Sequence, residues 1–275
     1  MSKIRLDLLL VERGLAESRA KAQAIIMAGQ VRVNGQMADK ASTHFLPEVQ
    51  VIVDSGPRFV SRGGEKLLAA LEAFSVTPSG LICVDVGAST GGFSDCLLQH
   101  GAAKIYAIDV GKGILHWKLR SDPRVIVMEE TNARYVETLP EPAQLVVCDA
   151  SFISLKTLLP VMKKWLTPET ALQKAEVVAA GSLITLIKPQ FEAGRKESAK
   201  HKGVIRDSEV HRRILIEVLS FAQEIGFSLR GLIQSPVLGP KGNIEFLAWL
   251  GLGNTISADL SALIDPLFEA KALQD

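Results

Sequence analysis

Cysteine is scarce in this chain, with three in 275 residues. Cys83, Cys96 and Cys148 form an odd set without CxxC spacing, which argues against a disulfide framework and against a zinc site. Cys83 and Cys148 lie inside apolar runs that read as buried strands, so they are expected to act as small core hydrophobes. No metal is expected. Long apolar runs are missing as well. The N-terminal segment offers only Leu8–Val11, followed at once by Glu12 and Arg13, which is not a signal-peptide core. No stretch approaches the roughly 18 apolar residues of a membrane span. A soluble, cytoplasmic protein without membrane association is therefore expected. Internal repeats and low-complexity tracts are absent too.

Net charge is nearly absent at +1, but the charges are not spread evenly. Residues 1–66 carry ten Lys/Arg against seven Asp/Glu, and residues 192–213 carry seven against four. Two mildly basic regions suit an anionic partner, although solvated charged faces would have the same composition. With 47% hydrophobic residues, the chain can bury a sizeable core, and its length suits one small and one medium domain.

The first segment reads as two short helices and a strand-rich tail. Leu6, Leu9 and Leu10 share one helical face, Gly14 stops that helix, and Ser18 is placed to cap a second with Ala22, Ile25 and Ile26 inward. Val31-Arg32-Val33 alternates, Asn34-Gly35 marks a tight turn, and Val49, Val51 and Val53 alternate again. Ser55-Gly56-Pro57 is a turn-forming break. It divides the chain into a domain over residues 1–55, a linker over 56–62 and a second domain over 63–275.

In the second part strands and helices alternate. Strands are expected over Leu81–Val86, Lys104–Val110, Val125–Met128, Leu145–Asp149 and Ser182–Ile187, with helices over Gly92–His100, Ile114–Arg120, Leu155–Leu166 and Ser208–Ile225. Residues Thr167–Gly181 read as an extra helix. Near-continuous apolar strands separated by helices define an α/β domain whose parallel sheet is covered on both faces. The closing strands, near Leu229–Gln234 and Glu245–Leu250, have no helix between them and should form an antiparallel hairpin at the sheet edge.

The strongest local signal is the stretch from Val84-Asp85-Val86 through Gly87, Ala88, Ser89, Thr90, Gly91, Gly92 and Phe93. It follows a buried strand and opens a helix, which is where a glycine-rich loop holds a cofactor. A dinucleotide loop would read GxGxxG and place pyrophosphate on the helix N-terminus. This loop reads GxxxGG and is preceded by Asp85, an acid that suits a ligand carrying an ammonium group. S-adenosylmethionine has that group and NAD does not. Asp109, ending the next strand, can accept both ribose hydroxyls of an adenosine. Asn132 can meet the adenine edge or serve as an ordinary turn residue.

Four polar residues stand at or near the sheet end where α/β proteins place their chemistry: Asp149, Lys188, Glu245 and, just ahead of the core, Lys66. A lysine closing an apolar strand is unusual, and Pro189 stiffens its position. Methylating a ribose 2′-hydroxyl calls for a base, which partial burial and a neighbouring cation would help a lysine become. Asp149 and Glu245 would orient the amines while also favouring their charged forms.

These residues resemble a known family. The catalytic part is similar to the FtsJ-like RNA 2′-O-methyltransferases, whose Lys-Asp-Lys-Glu tetrad falls on Lys66, Asp149, Lys188 and Glu245. The whole chain resembles the TlyA, or hemolysin A, family, which joins an S-four-like RNA-binding domain to that methyltransferase. The matching stretches include Arg5–Gly14, Ser18–Ala22, Gly29–Gly35, Phe59–Leu67, Asp85–Phe93, Asp149–Leu155, Lys188–Glu192 and Gly242–Phe246. The resemblance implies a Rossmann-like class I methyltransferase, mostly parallel and seven-stranded with an antiparallel last strand, preceded by a small α+β RNA-binding domain.

It further implies S-adenosylmethionine as cofactor and 2′-O-methylation of cytidine in ribosomal RNA, in the large subunit and in some members the small subunit too. Lys188 becomes the central catalytic lysine. Phe152, beside Asp149, is implied to pack on the cofactor, with core filling as the alternative. Arg5, Arg13, Arg19, Lys21, Arg32 and Arg62 would contact RNA, and the basic stretch Arg195–Arg213 would either close on RNA or be a hydrated connection. The start close to the first helix, without a basic extension, favours the large subunit alone. Two other functions compete: a non-catalytic RNA-binding or assembly factor on this scaffold, which would have no use for two placed lysines, and membrane lysis, which lacks a spanning segment.

Overall fold

The computed structural model describes residues 3–54, 56–167, 181–194, 197, 200, 203–239, 241–253 and 259–268. Of the extra helix expected over Thr167–Gly181, all but the two end residues lie outside the described residues, as does part of the basic stretch after residue 194. Backbone contacts divide the chain into one unit ending at Arg58 and a second beginning at Phe59.

In the first unit, strand β1 (Ile4–Arg5) leads into helix α1 (Leu6–Glu12), and helix α2 (Arg19–Met27) follows. Ser18 caps α2, its hydroxyl accepting the Lys21 N–H at 3.2 Å. Strands β2 (Val31–Val33), β3 (Gln36–Met37), β4 (His44–Phe45) and β5 (Val51–Val53) complete the unit. β2 is the centre of a three-stranded sheet, while β1 pairs with β4. Asn34 and Gly35 both adopt positive φ, 51° and 80°, which lets a two-residue turn match the strand twist. Leu6, Leu10, Ala22, Ile26 and Val31 are wholly buried. Each buried leucine or isoleucine contributes on the order of 2 kcal/mol. The first turn of α1 carries a buried carboxylate. Asp7 accepts from Arg5 Nε and Nη2 at 3.0 and 2.9 Å, from Arg19 Nε at 2.9 Å and from Gln23 Nε2 at 2.9 Å. These donors, Arg5 first, hold its carboxyl far below the usual range.

The second unit opens with helix α3 (Gly63–Ala73). Strand β6 (Ile82–Val86), helix α4 (Gly92–Gln99), strand β7 (Lys104–Ile108), helix α5 (Trp117–Arg120) and strand β8 (Val125–Met128) follow. Then come β9 (Leu145–Cys148), α6 (Leu155–Trp165), β10 (Ser182–Ile187), the one-turn α7 (Pro189–Glu192), α8 (Ser208–Glu224), β11 (Phe227–Gln234), β12 (Phe246–Leu252) and α9 (Leu260–Ile264). Among the described residues the sheet has the order β11-β12-β10-β9-β6-β7-β8. β6, β7, β8, β9 and β10 are parallel, and β12 is antiparallel to both β10 and β11. The hairpin is thus at the edge, but its second strand is inserted inward, so of its two strands β11 forms the edge, opposite β8.

The inner strands are largely apolar because both faces are covered. Val84 and Val86 belong to the core packed by α6 and α8, whereas Cys83 faces the core packed by α3 and α4. All three cysteines are buried. The sequence strand β6 pairs with β7 on one side and β9 on the other. That reversal of strand order opens a crevice at the carboxyl ends of the strands.

The helix expected from Ile114 is shorter than its sequence suggests. Glu129 accepts the backbone N–H groups of Gly113, Ile114 and Leu115, at 2.8, 3.1 and 3.3 Å, and pairs with Arg120 at 2.6 Å. A carboxylate thus satisfies donors at the start of this segment, and the helix begins only at Trp117. The Gly113 N–H above all, with Arg120, draws the Glu129 carboxyl down to about 2.

Candidate active site

The loop after β6 is held by its neighbours before any ligand is considered. The N–H groups of Gly87 and Ala88 both bond the Ile108 carbonyl, at 2.9 and 3.2 Å. Gly87 has φ +80°, and a β-carbon there would stand 2.8 Å from the backbone oxygen of Asp149. At Gly92 it would stand 2.3 Å from Ser61 Oγ and 2.8 Å from Gly64 N. Glycine therefore lets the β6–α4 loop pass close against the segment after β9 and the start of α3. Asp109, at the end of β7, accepts the Ser89 N–H at 2.8 Å and the Gly111 N–H at 2.7 Å. Each of its oxygens keeps a further lone pair for a hydroxyl.

Asp85 has a different place from the one its position in the loop suggested. It is fully buried, and its Oδ2 accepts the Ser94 N–H at 2.9 Å and the Ser94 hydroxyl at 2.7 Å, while Oδ1 has no partner. It lies beneath the loop and does not line the cleft. Burial pushes its carboxyl up to about 7, against the two Ser94 hydrogen bonds. Because the folded state holds this proton more tightly than the unfolded chain, the stability it contributes is full below about pH 4 and is lost as pH rises towards 7. Asp85→Asn is expected to remove a slope of up to about 1.4 kcal/mol per pH unit across that window. Urea midpoints of both proteins from pH 4.5 to 7.5 measure it, and parallel curves would contradict the assignment.

A cleft of about 1130 Å³ lies over the carboxyl ends of the strands. Lys66, Asp149, Lys188 and Glu245 all line it, with Arg62, Gly87, Ala88, Ser89, Thr90, Gly92, Phe93 and Phe152. Lys66 Nζ donates to Glu245 Oε2 at 2.6 Å, and both side chains are nearly inaccessible to solvent. Lys188 Nζ stands 2.6 Å from Asp149 Oδ1. Its aligned donors go to Ser151 Oγ at 2.9 Å and, more weakly, to the Asp149 carbonyl at 3.5 Å. Two lysine–carboxylate pairs thus meet one cleft, each joining segments far apart in the chain.

The cleft also holds residues that the sequence did not single out. Gln190 Nε2 donates to Glu245 Oε1 at 3.2 Å, and Ser151 is the acceptor for Lys188. The Phe191 ring lies 4.9 Å from that of Phe152 and 5.7 Å from Lys188 Nζ. Phe152 is 90% exposed and has φ +63°, an uncommon backbone for a bulky residue and one found where function requires it. It does not fill the core. The motifs 149–155 and 188–192 contained these residues, but pairing between them is a property of the folded sheet.

Some sequence candidates stand outside the cleft. Asp85, Gly91, Asp109 and Asn132 are not part of its lining. Asn132 caps a short turn, its side-chain oxygen accepting the Arg134 N–H at 3.1 Å. In the first unit, Arg5 and Arg19 are committed to Asp7, and the Arg13 guanidinium donates to the carbonyls of Val49 and Pro47. Lys21 and Arg32 are exposed. No group of metal-ligating side chains, and no helix long and apolar enough to cross a membrane, occurs among the described residues.

A parallel sheet with one inserted antiparallel strand, a glycine loop at its switch point and two lysine–carboxylate pairs, one lysine from α3 and one from the end of β10, define a methyltransferase of the Rossmann-like class. Comparison with known proteins agrees. A model of the FtsJ-like methyltransferases matches residues 59–252, and one of the S4 domain matches residues 4–51. YqxC of Bacillus subtilis (strain 168) is 46% identical, the match covering 91% of this chain and 88% of that one. The 16S/23S rRNA (cytidine-2′-O)-methyltransferase TlyA of Mycobacterium tuberculosis is 44% identical, with 90% of each chain covered. A solved structure from Streptococcus thermophilus bearing a hemolysin name has 38% identity and a TM-score of 0.68, with both chains covered completely. The chain belongs to the TlyA, or hemolysin A, family of FtsJ-like methyltransferases.

Proposed function

We propose that this chain transfers a methyl group from S-adenosylmethionine to the 2′-oxygen of a cytidine in ribosomal RNA, with Lys188 as the central catalytic lysine. One observation carries the reading: both lysine–carboxylate pairs line a single cleft together with the glycine loop. The residues fit the donor. Asp109, outside the lining but bonded to the cleft residue Ser89, keeps acceptors for ribose hydroxyls, and the Asp149 carboxylate in the lining disfavours a pyrophosphate and suits a cationic ligand. The cleft exceeds the roughly 300–1,000 Å³ of an ordinary small-molecule site, so a nucleotide fits beside the donor. When bound, the donor supplies a methyl group on a positively charged sulfur.

The protein's part is to place and deprotonate the hydroxyl. Lys188 Nζ takes the 2′-hydroxyl proton, and Asp149 at 2.6 Å holds the ammonium that results. With the donor held by the glycine loop, the oxygen so deprotonated would take the methyl group from its sulfur, which would leave neutral. Lys66, fixed by Glu245, adds a positive charge near the developing alkoxide. The exposed Phe152 ring offers an apolar face in the same cleft. Arg62 at the cleft and exposed Lys21 and Arg32 in the S4 domain supply charge for phosphates. The target belongs to the large subunit, with the small subunit as a second possible substrate. The test is to incubate donor and purified protein with unmodified ribosomal subunits and free rRNA, then map 2′-O-methyl groups. A new methyl group on a cytidine is expected. Binding to RNA without transfer would instead support a non-catalytic assembly factor.

A further inference from the structure

The five residues from Lys188 to Glu192 touch the opposite wall of the cleft at almost every position. Lys188 reaches Asp149 and Ser151, Gln190 reaches Glu245, and Phe191 packs on Phe152. Glu192 is the last of them and does not line the cleft. Its Oε2 accepts the Ser154 hydroxyl at 2.6 Å, and its Oε1 accepts the Leu155 N–H at 2.8 Å. Ser154 is also the cap of α6, accepting the Lys156 N–H at 3.2 Å. One carboxylate therefore ties the end of α7 to the first turn of α6.

We infer that Glu192 is a positioning residue for Lys188. The segment between Asp149 and Ser154 carries both hydrogen-bond acceptors of the Lys188 amine found among the described residues, Ser151 Oγ and the Asp149 carbonyl, and its ion-pair partner Asp149 Oδ1. At one end this segment continues from β9. At its other end it is held to the Lys188 side of the cleft by Glu192. The segment includes Phe152 at φ +63°, so it is not a relaxed extended chain that would keep its path unaided. Two charge-assisted hydrogen bonds at its far end set where the acceptors sit relative to the amine. Most of the Glu192 side chain is withdrawn from water, and burial raises its carboxyl while the Ser154 and Leu155 bonds oppose the rise. The carboxylate is thus held at some desolvation cost by partners it has to keep. The inference rests on the catalytic role proposed for Lys188.

The test uses the full-length protein and the variants Glu192→Ala, Glu192→Gln and Ser154→Ala. Donor affinity is measured by calorimetry, methyl transfer by single-turnover kinetics, and exposure of Lys188 by its rate of labelling with an amine-reactive reagent. Glu192→Ala is expected to slow transfer by roughly 10- to 100-fold, as misplacement by about an ångström does, with donor affinity unchanged and Lys188 labelled faster. Glu192→Gln, whose carbonyl still accepts the Leu155 N–H, is expected to restore most of the rate. A wild-type rate in Glu192→Ala, or a donor affinity that falls in step with the rate, overturns the inference. Should that variant fold poorly, Ser154→Ala is expected to show a smaller loss in the same direction, and no loss there overturns it. If the wild type itself transfers no methyl group, the proposed reaction fails. The labelling then decides the positioning role alone: faster labelling of Glu192→Ala supports it, and an unchanged rate overturns it.

Discussion

Lys188→Ala should lower single-turnover methyl transfer by about 10²- to 10⁴-fold, the range that a positioned general base contributes, while donor affinity changes little. This corresponds to about 3–5 kcal/mol of lost transition-state stabilisation. The separation of rate from binding follows from geometry. Lys188 lines the cleft through its amine, whereas the glycine loop and Asp109 are anchored by the Ile108 carbonyl and by backbone N–H groups that do not involve it. The same substitution at Lys66 is a poorer experiment. Glu245 is 1% exposed and would be left as a buried carboxylate without its lysine, which costs about 3–5 kcal/mol of stability. Asp149 is 22% exposed, so water can take over part of the missing contact. Calorimetric titration with donor, followed by rapid-quench transfer assays, separates the two quantities. Undiminished transfer by Lys188→Ala would remove the proposed base.

The second large effect is expected at Gly87. Alanine there meets two penalties: a left-handed backbone costing about 1–2 kcal/mol, and a β-carbon 2.8 Å from Asp149 O, 3.0 Å from Asp149 C and 3.1 Å from Ala150 Cα. All three neighbours are backbone atoms, so no side chain can rotate away. Overpacking of this kind adds about 1–3 kcal/mol. Together Gly87→Ala should destabilise the protein by about 2–5 kcal/mol and displace the loop enough to abolish donor binding. Gly80→Ala is the matched control, having φ +74° with nothing within 4 Å of the added carbon. It should show only the backbone cost, about 1–2 kcal/mol, and normal donor affinity. Equal losses in the two variants, read by urea titration, would mean that close approach at Gly87 contributes nothing.

Much of this architecture could be read from residue order. The inner strands announce themselves as apolar runs because they are covered twice, and Asp149 and Lys188 follow from where two of those runs stop. Arrangements that depend on a distant partner could not be read. Ile114-Leu115-His116 has helical character by itself, yet Glu129 draws the N–H groups of Gly113, Ile114 and Leu115 into its carboxylate. Arg5 and Arg19 look like free cations until Asp7 is placed between them. Asp85 sits where a ligand-binding acid is expected in the sequence, but the start of α4 folds over it and supplies Ser94 in the ligand's stead. Glu192, four residues beyond a conspicuous lysine, gives no sign of its task, since Ser154 and Leu155 lie almost forty positions earlier in the chain. Local pattern reports burial and periodicity; it does not report which charge meets which.

The inserted strand β12 has a bearing on how the enzyme comes into being. Running against its neighbours, it begins where they finish, and so delivers Glu245 to Lys66 across 179 positions of chain. Ribosomal synthesis brings out the donor loop and both lysines well before that carboxylate. A polypeptide still in the making, or one cut short before the sheet closes, would hold Lys66 without its counterion and Gln190 without its acceptor. On the proposed reaction, competence would arrive only when β12 joins the sheet.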